Sequence, residues 1–93
     1  MTSNKLKLAR NKIDKIDRSI FNLIKKRTRV VKYMLSLKKY KKEIVDSKRM
    51  NIILKNIKKK SIKSNIDPKI TKKIWKSILS SYIDFQKRNF KSR

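Results

Sequence analysis

The chain contains no cysteine, no histidine and no glycine, and a single proline among 93 residues. Without cysteine there is neither disulfide nor thiolate chemistry, and without histidine the usual metal ligand and proton shuttle are missing, so no zinc site is expected. The absence of glycine excludes a P-loop and a dinucleotide-binding fingerprint, both of which need its backbone freedom beside phosphate. Acidic residues are few and scattered as Asp14, Asp17, Glu43, Asp46, Asp67 and Asp84. A paired-carboxylate hydrolase has little to be built from. No apolar run approaches the roughly 18 residues of a membrane span, and Met1 to Asn11 lack the continuous apolar stretch of a secretory signal. The expectation is a cytoplasmic protein with no membrane partner, no metal and no cofactor.

Positive charge, in contrast, is abundant. The formal net charge is +24, which alone suggests a polyanionic partner such as nucleic acid. The excess is mostly lysine, 23 of 30 basic residues, and it accompanies abundant isoleucine and asparagine, a combination that biased base composition also produces. Basic runs such as Lys58-Lys59-Lys60 are short and carry no interleaved aromatics to stack on bases. A basic helical nucleic-acid-binding dimer therefore stands as a competing reading that charge does not exclude.

Apolar periodicity carries more information. Leu6, Ala9, Ile13, Ile16, Ile20, Leu23, Val30, Met34 and Leu37 recur at alternating steps of three and four, a helical seam sustained for more than four heptads. Arg27 occupies the seam position between Leu23 and Val30. A guanidinium within an apolar seam costs several kcal/mol unless an anion meets it. The acids of this stretch, Asp14 and Asp17, lie roughly 15 to 20 Å away along a helix, which leaves a ligand as the missing anion.

Three helices account for nearly the whole chain, giving an all-α fold in one domain over residues 1–93. Its expected core is about 4–88, with a frayed basic tail at 89–93. The first helix spans roughly 4–39, since nothing in it stops a helix, and would be about 54 Å long. That exceeds the width of a compact chain of this size, and the later segments are too short to cover it. A homodimer with its long helices packed together follows. Lys38 to Val45 breaks the pattern and reads as a loop. Asp46 or Ser47 then caps a second helix over about 47–63, with Met50, Ile53, Leu54, Ile57 and Ile62 as its apolar set. Ser64-Asn65-Ile66-Asp67-Pro68 supplies a loop, an Asp cap and a proline at the first helical position. The third helix runs to about 88, with Ile70, Ile74, Trp75, Ile78, Leu79, Tyr82 and Ile83 along one face.

Four polar residues stand beside Arg27 as candidates. Lys38 lies three helical turns after it, about 16 Å on, and returns to nearly the same face. Gln86 falls eleven residues after Trp75, on the apolar stripe of the third helix. Arg49 sits in the first turn of the second helix, where a solvated surface group is the simplest reading. Arg10 borders the seam, where a long side chain can snorkel over its neighbours.

The ordered set resembles a known family. Leu6 to Asp17, Leu23-Ile24-Lys25-Lys26-Arg27, Lys38, Val45-Asp46-Ser47-Lys48-Arg49, Ile66-Asp67-Pro68 and the late Gln86 look like the pattern of the all-helical AroQ-type chorismate mutases, over about residues 6–88. The resemblance implies an intertwined homodimer of three-helix chains with two active sites. Carried over by position, Arg10 reaches into the partner's site while Arg27 and Arg49 line the site of their own protomer. Lys38 and Gln86 face the ether oxygen of the substrate, and Asp46 helps to hold its ring-hydroxyl end.

The implied reaction suits the inventory. Chorismate is a dianion, and its rearrangement to prephenate is intramolecular and pericyclic, needing no nucleophile, proton shuttle, metal or cofactor. Two positions depart from the mutase pattern. Met50 follows Arg49 where many of these enzymes have glutamate, and Tyr82 stands where a smaller polar residue is common. Tyr82-Ile83-Asp84-Phe85-Gln86 looks more like the isochorismate pyruvate lyases, relatives of the same fold that release salicylate and pyruvate. Asp46 agrees better with the mutases, so the mutase is the leading expectation and the lyase the alternative.

Overall fold

The computed structural model describes residues 2–91 and consists of three α-helices: α1 (Thr2–Leu37), α2 (Ser47–Lys63) and α3 (Pro68–Asn89). A short 3-10 turn, Lys41–Glu43, lies between α1 and α2, and there is no strand among the described residues. The all-α expectation therefore holds. No described helix is long and apolar enough to cross a membrane. The chain divides into two compact units, Met1–Tyr33 and Met34–Arg93.

The first unit is the greater part of α1. With no glycine or proline to interrupt it, every backbone group in its middle finds its partner one turn away. Its seam residues remain exposed, Ile16 at 54 % and Leu23 at 62 %. Arg27 differs from every other seam member in being half-buried, alongside Ile24 and Thr28, one turn from the buried Val31.

The second unit begins with the last turn of α1. This helix stops at Leu37, two residues short of expectation, for a reason visible in the backbone. The Lys38 N–H tightens onto the Leu35 carbonyl at 3.1 Å, and the next two N–H groups are taken by a side chain. Glu43 Oε2 accepts from the Lys39 N–H at 2.8 Å and the Tyr40 N–H at 3.2 Å. A carboxylate offering two charge-assisted bonds outcompetes continued helix. Ile44, 5 % exposed, anchors the end of this loop.

Helices α2 and α3 fold against each other. The Asp46 carboxylate caps α2 by accepting from the Arg49 N–H at 3.0 Å. The helix ends in a paired C-terminal motif in which Ile66 N–H bonds to Ser61 O at 2.9 Å and Asn65 N–H to Ile62 O at 3.3 Å. This motif requires a left-handed residue, and Asn65 adopts φ 58° in a chain that has no glycine to offer. Asp67 caps α3 through Lys69 N–H at 2.9 Å, with Pro68 in the first turn.

One expected core position is corrected. Ile62 is 59 % exposed, and Ser61, 3 % exposed, takes its place. Helical phase explains the exchange, because Ser61 lies four residues after Ile57 and Ile62 lies five. The buried hydroxyl is satisfied twice, by the Ile57 carbonyl at 2.7 Å and by Thr71 Oγ1 at 2.6 Å, so α2 and α3 are joined by a polar contact in an apolar setting. On α3, Leu79 is buried and Trp75, Ile78, Tyr82 and Ile83 are half-buried, while Ile70 and Ile74 are exposed. Of the tail expected to fray, Asn89 closes α3 and Phe90 is half-buried; Ser92 and Arg93 lie outside the described residues.

Candidate active site

Lys38 and Gln86 are 48 residues apart in the chain and in direct contact in the fold, Lys38 Nζ donating to Gln86 Oε1 at 2.7 Å. Lys38 sits just past the C-terminus of α1, where the helix carbonyls favour a cation. Gln86 lies in the last turns of α3 and is 8 % exposed, in phase with buried Leu79 two turns earlier.

The contact fixes the orientation of the amide. An ammonium only donates, so the Gln86 oxygen must face Lys38 and the Nε2 group must face away from it. One Nε2 hydrogen is directed to the Tyr82 carbonyl at 3.2 Å, one turn back along α3. The other Nε2 hydrogen and two Lys38 N–H groups remain as donors. The ammonium can receive an oxygen atom that is gaining negative charge, and the amide beside it adds a second donor to that oxygen only by turning Nε2 toward it.

The other candidates occupy distinct places. Asp46 and Arg49 belong to one capping turn at the start of α2, in which the Asp46 carboxylate holds the Arg49 backbone; the Arg49 side chain is exposed and Met50 is half-buried. Tyr82 is half-buried one turn before Gln86. These residues, with Lys38 and Gln86, belong to the unit Met34–Arg93, whereas Arg10 and Arg27 belong to Met1–Tyr33. Arg27 is half-buried, with its Nη1 atom withdrawn from solvent. Arg10 is exposed. Seventeen residues of continuous helix separate the two arginines by about 25 Å, so one small ligand cannot touch both within one chain.

Among the described residues no group of three His, Cys, Asp or Glu side chains could hold a metal ion. Glu43 is absent from the sequence-derived candidates, although it adjoins Lys38 through the loop. Its signal was the spacing of a capping box, with glutamate three residues after Tyr40, hidden because no Ser or Thr begins it.

A helical protein that presents an ammonium and an oriented amide, without histidine or cysteine, is equipped to act on an anionic substrate by positioning and charge. The family comparison makes that class specific. The family model for chorismate mutase type II matches residues 9–87. The chain belongs to that family, whose activity is an isomerisation, and the protein is an isomerase of the chorismate mutase type. Searches of curated proteins and of solved structures return no significant match.

Proposed function

We propose that the protein converts chorismate to prephenate in aromatic amino-acid biosynthesis in the cytoplasm, without a cofactor. The observation that carries this reading is the Lys38–Gln86 hydrogen bond, because it brings an ammonium and an amide from distant parts of the chain to one place. As the ether bond of chorismate breaks, negative charge grows on its oxygen; that oxygen replaces Gln86 Oε1 as acceptor for Lys38 Nζ, the amide turns its Nε2 toward it, and both donors stabilise the charge more strongly than the ground state. The resemblance to the mutases assigns Arg27 and Arg49 to the substrate's carboxylates, and cations on those groups select the compact conformer in which the reacting carbons approach. Asp46 orients the ring-hydroxyl end, and Met50 and Tyr82 shape the wall around it. A millionfold acceleration requires about 8 kcal/mol in total, within reach of a few charge-assisted bonds in a dry pocket.

Arg10 completes the site of a second copy. The seam on α1 leaves Leu6, Ile13, Ile16, Ile20 and Leu23 more than half exposed, a stripe of a kind that marks an association surface. A homodimer joined along it buries the stripe and carries Arg10 to the opposite site. Ile16→Glu is expected to shift the protein toward monomer in analytical ultracentrifugation and to reduce turnover with it; an intact, active dimer would refute the arrangement.

Met50, placed where many mutases have glutamate, keeps the lyase in view, so the deciding experiment is a paired assay of the purified protein. Chorismate is followed in one reaction, and salicylate formation from isochorismate in the other. Rapid chorismate loss with prephenate as product supports the mutase. Dominant salicylate formation replaces it with the lyase. Silence in both returns the basic nucleic-acid-binding dimer to consideration, to be tested by the salt dependence of binding.

A further inference from the structure

Glu43 is the sole acid between Asp17 and Asp46, and it stands in the segment Lys38-Lys39-Tyr40-Lys41-Lys42-Glu43, which carries four lysines. An ammonium cluster of this density repels itself and favours an open, solvated loop. The observed loop is closed instead. The Glu43 carboxylate binds the N–H groups of Lys39 and Tyr40, the two residues that follow Lys38, at 2.8 and 3.2 Å. The turn is tightened further by Glu43 N–H on the Tyr40 carbonyl at 3.0 Å and Ile44 N–H on the Lys41 carbonyl at 3.1 Å. Buried Ile44 then ties it down.

We infer that Glu43 is a positioning residue for Lys38: its carboxylate ends α1 at Leu37 and fixes the backbone from which the Lys38 ammonium reaches Gln86. The inference rests on the proposed mutase reading for its kinetic consequence, but its geometric part stands apart from it. Two constraints hold Lys38 from its two ends. Its own N–H is bonded to Leu35 O at 3.1 Å, and the peptide that follows it is bonded to Glu43. With the carboxylate removed, the Lys39 and Tyr40 N–H groups can re-enter helix or turn to water, and either change rotates Lys38 about its backbone. A lysine tethered by a four-carbon stem loses its aim at an atom 2.7 Å away after a small rotation. Glu43 touches neither substrate nor Gln86 in this account. It acts through Lys38.

Because Lys38 acts on charge that develops in the transition state, the effect falls on kcat. Glu43→Ala is expected to lower kcat by between roughly tenfold and a hundredfold, the range for a catalytic group displaced by about 1 Å, with KM within about threefold of wild type. In a double-mutant cycle with Lys38→Met, the Glu43→Ala change should cost no more than about twofold further, since a mispositioned lysine and an absent one are nearly equivalent. A general loss of structure would instead multiply through both backgrounds. Glu43→Gln, which retains a neutral acceptor, should give a smaller loss in the same direction, and it serves where Glu43→Ala does not fold.

A readout free of substrate accompanies the kinetics. The side-chain amide resonances of Gln86, assigned by NMR in the dimeric protein, are expected to move in both Glu43 variants relative to wild type. Unmoved Gln86 resonances, or kcat losses that multiply fully in the Lys38→Met background, overturn the inference. Moved resonances in a protein that does not turn over chorismate overturn the proposed reaction and leave the positioning of Lys38 by Glu43 standing.

Discussion

Gln86→Leu separates catalysis from stability at a single side chain. The substitution nearly conserves volume at a position 8 % exposed, so it opens little cavity, but it removes the acceptor 2.7 Å from Lys38 Nζ and the amide donor beside it. Lys38 is half-buried and can rehydrate, which places the loss of folding free energy at about 1 kcal/mol, toward the low end for a hydrogen bond to a charged group. In a domain of this size that lowers the melting temperature by about 4–8 °C. The catalytic loss is expected to be larger. Deleting one donor to a developing oxyanion typically costs about 3 kcal/mol, or roughly a hundredfold to a thousandfold in kcat, with KM little changed because the bond strengthens only as charge develops. Stopped or continuous ultraviolet assays of chorismate loss give kcat and KM, and circular dichroism gives the melting temperature on the same sample. A folded Gln86→Leu protein with kcat within about threefold of wild type would refute the role assigned to the Lys38–Gln86 pair.

Three further substitutions test other parts of the reasoning. Arg27→Ala should abolish turnover while leaving a folded dimer, measured by activity and sedimentation; wild-type activity in that variant would remove the reason for a cation in the seam. Met50→Glu should lower KM for chorismate by restoring an acceptor for the ring hydroxyl, and an unchanged or higher KM would indicate a pocket shaped for another substrate. Ser61→Ala deletes the hydroxyl bonded to the Ile57 carbonyl and to Thr71 Oγ1, at an expected cost of about 1 kcal/mol read from urea denaturation. Its kcat should match wild type, because Ser61 and Thr71 lie at the turn end of the α2–α3 pair, about 22 Å along α3 from Gln86.

Local chemistry explains which elements were legible from sequence. The starts of α2 and α3 follow from Asp46 and from Asp67-Pro68, since a cap is satisfied within three residues and needs nothing distant. The helical pattern of the sequence runs two residues past the end of α1, because a glutamate beyond it takes the Lys39 and Tyr40 N–H groups. The exchange of Ile62 for Ser61 has a different origin: hydropathy favoured isoleucine, but helical phase and the facing Thr71 hydroxyl decided the position. Arg27 was legible as an anomaly in a periodic seam, and the structure sets it apart from its exposed seam neighbours. Glu43 escapes a reading of the sequence because Tyr40 stands where Ser or Thr usually opens a capping box, so the glutamate three residues on carries no visible signal.

By itself, the sequence determined the three helices, their caps and the kinds of chemistry that could not be present, because helix periodicity, capping and the absence of His, Cys and Gly are all matters of residue type at short range. The tertiary structure alone decided that Lys38 meets Gln86 across 48 residues, that the amide turns its oxygen to the ammonium and its hydrogens elsewhere, and that a serine is buried in preference to an isoleucine. Those outcomes depend on how α2 and α3 pack and on where the α1–α2 loop is pinned, and such contacts are selected by the geometry of the whole chain, to which no local preference has access.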